Sequence, residues 1–324
     1  MKTAQEIQDG FEAYLQGLAY SRQPDALYAP IRYVLSLGGK RIRPTLLVMA
    51  YEMYADDIAR VFRTAAGMEI FHNFTLLHDD LMDRASVRRG NPTVHIRWNE
   101  NTAILSGDGM LVLAYRYLSE TDPEYLTAIL KIANDTFTEI MEGQQYDMDF
   151  ETRDDVTEQE YIEMIRLKTS VLLAACLKMG AVLGGASAQD ADLMYEFGEK
   201  LGLAFQLQDD LLDVYGDPAV FGKKIGGDIL CNKKTYLYIN ACLLADERQR
   251  AELDRWAAYD GSDPESKIAG VRAIYDAVGV RDLSERLIGS LFAQAQDKLD
   301  RVSLAEDRKS ALREYSKSLM NRVL

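Results

Sequence analysis

Apolar residues recur at helical spacing along almost the whole chain, and no segment alternates strictly as a half-buried strand must. Only 7 prolines occur in 324 residues, so little interrupts that pattern. The spacing predicts an amphipathic helix over 3–20 and a second over 24–37, closed by Gly38-Gly39. Pro44 opens an apolar helix through 54, and 58–83 carries a long apolar pattern ahead of a polar loop at 84–92. Helices follow at about 100–120, 124–150, 157–184 and 189–215, the first of them stopped near Asp122-Pro123. After a glycine-containing loop from Gly216 to Gly227, helix resumes over 228–245. The tail from 247 to 324 suggests three more helices, with breaks near 260–264 and 279. The expected class is all-α. No Ser/Gly-rich linker divides the chain and no repeat of 20–50 residues is visible, so a single domain over 1–324 is expected.

Composition narrows the function. Hydrophobic residues make up 48% of the chain, enough for a large core, and the net charge is −14. A nucleic-acid surface needs Lys and Arg gathered on one face, and here they form short islands in an acidic protein. No nucleic-acid partner is expected. The opening MKTAQEIQDGFEAYL lacks the apolar stretch of a signal peptide, and no uncharged run is long enough to span a membrane. A cytoplasmic location without a transmembrane segment is expected. Cys176, Cys231 and Cys242 show neither metal-ligand spacing nor a disulfide pattern, so they are expected to be reduced thiols.

Two acidic triplets stand out against this background. Asp79-Asp80-Leu81-Met82-Asp83 and Asp209-Asp210-Leu211-Leu212-Asp213 both read DDxxD, 130 positions apart (209 − 79). Each follows an apolar run, FHNFTLL and LGLAFQL, near the expected C-terminal end of a long helix. Spacings of three and four place the carboxylates on one helical face, where like charges repel by roughly 0.2–0.5 kcal/mol per pair. The negative helix terminus adds to the cost. A single DDxxD is ordinarily a solvated acidic face; two copies, each followed by basic residues, point instead to a cation, and hard oxygen donors suit Mg²⁺.

The basic islands have the chemistry of diphosphate binding. Gly38-Gly39-Lys40-Arg41-Ile42-Arg43-Pro44 sets Lys40 and Arg43 three apart, where a first helical turn could aim both at one anion. Arg88-Arg89-Gly90 follows the first triplet, Lys168-Thr169 sits mid-helix in IRLKTS, and Gly222-Lys223-Lys224 and Asn232-Lys233-Lys234-Thr235 follow the second. Arginine offers paired contacts to phosphate oxygens, and lysine acts as a point charge. No Walker or Rossmann glycine loop is present, and no Ser-His-Asp or Cys-His arrangement suggests covalent catalysis. Of the histidines, His78 precedes Asp79 and could order the carboxylates, while His72 lies two turns deeper on about the same face.

LLHDDLMDRASVRRGNPTVH, GGKRIRP, FQLQDDLLDVYGD and FGKKIGGDILCNKKT together resemble the trans-isoprenyl diphosphate synthases (polyprenyl synthetases), in family order from about residue 25 to 245. The chain is particularly similar to short-chain members making farnesyl or geranylgeranyl diphosphate. The resemblance implies an isoprenoid-synthase-type bundle of long, mostly antiparallel helices around a central cavity. It implies that Asp79 and Asp83, supported by Asp80, and Asp209 would together ligate about three Mg²⁺ ions holding the allylic diphosphate. Arg88, Lys168, Thr169, Gln206, Lys223 and Lys233 would bind the same group, with Lys224 an alternative to Lys223. Lys40, Arg43, His72 and Arg89 would hold isopentenyl diphosphate. Lys168, with the acidic residues Asp79, Asp83 and Asp209, would be catalytic, and the proton lost at the end would go to the departing diphosphate. A homodimer is implied, for which 100–120 is a candidate face.

In such enzymes, bulk beneath the first triplet limits product length. Here Phe71, Phe74 and Thr75 lie below Asp79. On an ideal helix Thr75 points more nearly at the pocket than Phe74, and one aromatic beside a small residue resembles archaeal geranylgeranyl synthases. A twenty-carbon product is favoured, with fifteen carbons the alternative and longer chains a further one. A terpene cyclase ordinarily replaces the second triplet with an Asn/Ser/Glu pattern, and an inactive regulatory subunit typically loses one triplet. Both triplets are present.

Overall fold

The computed structural model describes residues 1–18, 22–217, 225–259 and 262–321. They are helical almost throughout. In order come α1 (Ala4–Gln16), α2 (Asp25–Ser36), α3 (Ile42–Glu52), α4 (Phe62–Met82), α5 (Val94–Arg97), α6 (Glu100–Ser119), α7 (Pro123–Glu151) and α8 (Glu158–Ile165). A π-helical segment, Arg166–Ser170, joins α8 to α9 (Val171–Leu183). Then follow α10 (Ala188–Tyr215), α11 (Gly227–Leu230), α12 (Tyr236–Leu244), α13 (Glu247–Ala257), α14 (Pro264–Val278), α15 (Val280–Asp300) and α16 (Glu306–Met320). Among the described residues the strands are β1 (Val87–Arg88) and β2 (Asn91–Pro92), an antiparallel hairpin pairing Val87 with Pro92 and Arg88 with Asn91.

Helix starts have local causes. Thr3 accepts from the backbone N–H of Glu6, whose carboxylate returns to the Thr3 N–H, and Thr157 with Glu160 and Asp246 with Gln249 repeat the box. Each satisfies two donors that a helix start would leave open.

Four boundaries differ from the sequence expectation. The helix expected over 228–245 is broken between α11 and α12, where Asn232 takes a left-handed φ of 55°. The tail holds four helices, not three: Gly279, at φ 74°, closes α14 and opens α15 without a loop, and a further break separates α15 from α16. The π segment interrupts what reads as one helix over 157–184. A hairpin stands within the loop expected at 84–92.

The chain divides into two compact units. The first comprises Met1–Asn134, Ala175–Asp192 and Ser303–Leu312. At its centre α4 is buried on nearly every side from Thr64 to Phe74, with the polar Thr64, Glu69 and Asn73 enclosed among apolar neighbours. It packs on α3 and α6. A Cβ added to Gly67 would lie 3.0 Å from Leu118 Cγ of α6, so the missing side chain is what lets these helices approach.

The second unit comprises Asp135–Ala174, Leu193–Val302 and Arg313–Leu324. One core cluster gathers Tyr161, Met164 and Ile165 with Leu203, Leu207 and Leu291. Another gathers Leu211 and Val214 of α10 with Ile229, Leu237, Val271 and Tyr275. Burying a Leu, Ile or Val side chain contributes roughly 1.5–3 kcal/mol, so these contacts fix the last turns of α10, where the second triplet lies.

Candidate active site

In the first unit, α4 ends as its acidic triplet begins to emerge. Asp79 and Asp80 occupy the last turn, and Asp83 is the first residue past it, its N–H bonded to the Asp79 and Leu81 carbonyls. The three carboxylates are not equivalent. Asp80 is buried and receives Arg88 from both Nε and Nη2, at 2.9 and 2.6 Å to Oδ1, while Nη2 reaches Asp79 Oδ2 at 3.5 Å. Burial pushes the Asp80 carboxyl above the usual carboxylate range, and the Arg88 bonds oppose that rise. Arg88 thus offsets the repulsion inherent in adjacent carboxylates.

The hairpin explains how Arg88 and Arg89 are aimed. Arg89 and Gly90 form its two-residue turn, both left-handed at φ 53° and 76°, the signature of a type I′ turn. Arg88 consequently turns back to α4, while Arg89 donates to the Gly38 carbonyl. Gly39 is needed twice: its φ of 138° excludes most side chains, and a Cβ there would lie 2.9 Å from the Arg89 guanidinium.

GGKRIRP divides its labour by residue. α3 begins only at Ile42, so Lys40 sits exposed on the left-handed turn ahead of the helix rather than in its first turn. Arg43 is in that turn, and its Nη1 lies 3.0 Å from His72 Nε2. A guanidinium can only donate, so Nε2 accepts and His72 is neutral. Burial, then the charges of Arg43, Arg89 and Arg88, pushes His72 well below the usual histidine range, which agrees. Arg41 points inward, to Glu12, Glu69 and the Leu35 carbonyl. His78 of α4 turns its ring onto α6 instead of serving the carboxylates: its Nε2 is 3.2 Å from the Ile104 carbonyl, and a Cβ on Gly107 would collide with its ring.

Beneath the triplet, Phe71 and Phe74 are buried with ring centroids 5.5 Å apart, and Phe74 stacks edge-on against His78. Thr75 is half-buried and donates to the His72 carbonyl. One turn separates Thr75 from Asp79, as one turn separates Phe74 from His78. Thr75 therefore shares the acidic face.

In the second unit the middle carboxylate is again the buried one. Asp210 accepts the hydroxyl of the fully buried Tyr161, and Gln206 Nε2 at 3.0 Å. Burial, then the charge of Asp228, pushes Asp210 up to about 7, against the pull of Tyr161 and Lys233. Asp213 Oδ2 accepts the Asp228 N–H at 2.9 Å and so anchors the start of α11. Asp209 is half-buried near the end of α10. Thr169 donates to Gln206 Oε1 at 3.1 Å, completing a chain from Thr169 through Gln206 to Asp210.

Lys168 Nζ meets Asp147 Oδ2 at 2.5 Å, and Lys233 Nζ lies 3.9 Å from the other oxygen of that carboxylate. Asp147, on α7, had no signal in the sequence beyond being one acid among many. Lys223 and Lys224 lie outside the described residues.

Oxygen donors at the ends of α4 and α10 suit Mg²⁺, which takes one or two carboxylates and completes its shell with water and phosphate oxygens. Among the described residues no three acidic, histidine or cysteine side chains form a ready cage, and this mode of binding requires none.

A polyprenyl synthetase family model matches residues 24–277, more than half of the chain. The chain belongs to the polyprenyl synthetase family. It is 40% identical to the geranylgeranyl diphosphate synthase of Methanosarcina mazei over 291 residues, 89% of this chain and 88% of that protein. With the geranylfarnesyl diphosphate synthase of Natronomonas pharaonis it shares 36% identity over 298 residues, 86% and 85% of the two chains. A crystal structure of a geranylgeranyl pyrophosphate synthase superposes with a TM-score of 0.95 at 42% identity, covering 100% of both chains. The all-α isoprenoid-synthase fold expected from the sequence is therefore the fold of this polyprenyl synthetase.

Proposed function

We propose that this prenyltransferase joins isopentenyl diphosphate head to tail with an allylic diphosphate, giving a short-chain all-trans prenyl diphosphate. The carrying observation is the grouping of Arg43, neutral His72, Arg88 and Arg89 in a chain so similar to geranylgeranyl diphosphate synthases. Asp79, Asp83 and Asp209, with Asp80 in support, would hold Mg²⁺, which when bound draws off the charge building on the leaving diphosphate.

The chain's own groups do the rest. Arg88, Lys168, Thr169, Gln206 and Lys233, with Lys223 or Lys224, bind and orient the allylic diphosphate as fixed electrostatic clamps. Lys40, Arg43, His72 and Arg89 hold the diphosphate of isopentenyl diphosphate. Neutral His72 can turn a donor toward an anion without adding a charge that Arg43 would oppose. The family match runs through both compact units, which supports treating residues 1–324 as one functional domain.

Incubation with Mg²⁺, isopentenyl diphosphate and labelled dimethylallyl, geranyl or farnesyl diphosphate, followed by product sizing, tests the assignment. The expected products are longer than the primer; recovery of unextended primer alone refutes it.

Twenty carbons is the product length favoured by Thr75 and by the relatives' printed activities, and the geranylfarnesyl relative favours a longer chain as the second reading. Thr75→Phe is expected to shorten the product by about one isoprene unit, since a phenyl ring fills a comparable apolar volume. An unchanged product on chromatography removes Thr75 from the pocket floor.

α6 exposes Ile104, Leu105 and Val112, an apolar stripe suited to a second copy. A homodimer is therefore expected in sedimentation equilibrium, and a monomer at micromolar concentration rejects it. Among the described residues no helix is long and apolar enough to cross a membrane, and a cytoplasmic location remains our reading.

A further inference from the structure

We propose that Gly143 and Asp147 of α7 form a positioning pair that sets Lys168 and Lys233 for the allylic diphosphate. The inference rests on the reading of those lysines as diphosphate ligands. It starts from the π segment. Arg166–Ser170 packs an extra residue into the helix, so Lys168 and Thr169 leave the register of α8 and α9; such segments are rare and frequent at functional sites, and this one is set by the close approach of its neighbours.

Two glycines permit it. A Cβ on Gly143 would lie 2.4 Å from the Lys168 backbone nitrogen and 2.8 Å from its Cα; on Gly202 of α10 it would lie 2.6 Å from the Ser170 Cα. The π segment is thus pressed between two helices at points where neither carries a side chain. These contacts are with backbone, which cannot swing aside as a side-chain end can.

Asp147 lies one turn beyond Gly143, on the same face of α7. It takes the Lys168 ammonium at 2.5 Å on one oxygen, with the Lys233 ammonium 3.9 Å from the other. The carboxylate is largely buried, and despite that burial the two lysines hold it below the usual carboxylate range. Lys168 comes from the π segment and Lys233 from the turn before α12, and two cations brought together from separate elements repel. A shared carboxylate lowers that repulsion and restricts two flexible side chains to one small region. Gly143 fixes where the Lys168 backbone lies, and Asp147 fixes where its charge lies.

The test is steady-state kinetics with Mg²⁺, isopentenyl diphosphate and geranyl diphosphate, together with calorimetric binding of inorganic pyrophosphate in Mg²⁺. The variants are Asp147→Asn, Gly143→Ala, Lys168→Ala and Asp147→Asn/Lys168→Ala, with exposed Asp149→Asn as the control. Asp147→Asn keeps volume and packing. It is expected to raise KM for the allylic diphosphate and weaken pyrophosphate binding by about tenfold each, the effect of one charge-assisted bond. In the Lys168→Ala background the same change should add less than about twofold, because coupled groups are not additive.

Gly143→Ala is expected to lower kcat/KM by at least about tenfold, and a variant that melts early leaves Asp147→Asn to decide. A carboxylate beside the lysines also weakens their pull on an anion. Tighter or unchanged pyrophosphate binding by Asp147→Asn, with Lys168→Ala impaired, overturns the positioning role alone. An unimpaired Lys168→Ala instead overturns the reading of that lysine as a ligand, and the pair with it.

Discussion

Asp79→Ala is expected to lower kcat/KM by about 10³-fold, the loss of several kcal/mol of transition-state stabilisation, while the protein melts no earlier than before. The two halves of that result have separate causes. Asp79 is partly exposed (18% for the side chain) and its contact with Arg88 is long, 3.5 Å. Removing it deletes a negative charge beside Asp80 at the negative end of α4, which relieves repulsion of both kinds. Little packing is lost.

Asp80→Asn should behave differently. Asp80 is only 7% exposed and accepts from two Arg88 nitrogens, so its loss leaves that cation only the long contact with Asp79 and frees a diphosphate ligand. Stability should fall by about 1–3 kcal/mol, and activity should fall through Arg88. Initial rates over a Mg²⁺ titration, paired with thermal melts, separate the two. Asp79→Ala retaining a tenth of wild-type activity at saturating Mg²⁺ would sink its assignment as a metal ligand.

This contrast marks how far the sequence could be read. Apolar spacing showed the long helices and put both triplets near helix ends, because a period of 3.6 over twenty residues tolerates local noise. It did not reveal the inward turn of Asp80 and Asp210. Three carboxylates at that spacing look alike until the partners, Arg88 on a hairpin and Tyr161 on α8, are placed. The hairpin itself was hidden, since two-residue strands are too short to alternate. The π segment was hidden because one added residue shifts the apolar stripe by less than its own width. Gly143 and Asp147 sit in MEGQQYDMDF, on a helix whose surface is mostly polar; only the approach of Lys168 gives them a task. In GGKRIRP the spacing singled out Lys40 and Arg43 and gave Arg41 no task; the fold reserves Arg41 for the core.

Arg41→Ala follows from that reservation, with stability rather than chemistry as its readout. Arg41 stands at φ 46° ahead of α3, with its side chain 3% exposed. Nε donates to Glu12 at 2.9 Å, Nη1 to Glu69 at 2.7 Å, and Nη2 to the Leu35 carbonyl at 2.9 Å. Glu69 is equally buried, with Asn73 its other side-chain donor at 3.1 Å. Truncating Arg41 leaves that carboxylate without a counter-charge in the core of the first unit. The expected cost is about 3–5 kcal/mol, a melting temperature lower by something on the order of 10 °C. Arg41→Lys should recover little, because one ammonium cannot reach three acceptors lying in three directions. Arg41→Met combined with Glu69→Met should cost less than Arg41→Ala, since removing both charges ends the desolvation penalty that a single removal exposes. Denaturant melts of the three variants decide the matter: if Arg41→Ala unfolds within about 1 kcal/mol of wild type, the charge is dispensable to the core. Arg41 would then join Lys40 and Arg43 as a candidate for the phosphate.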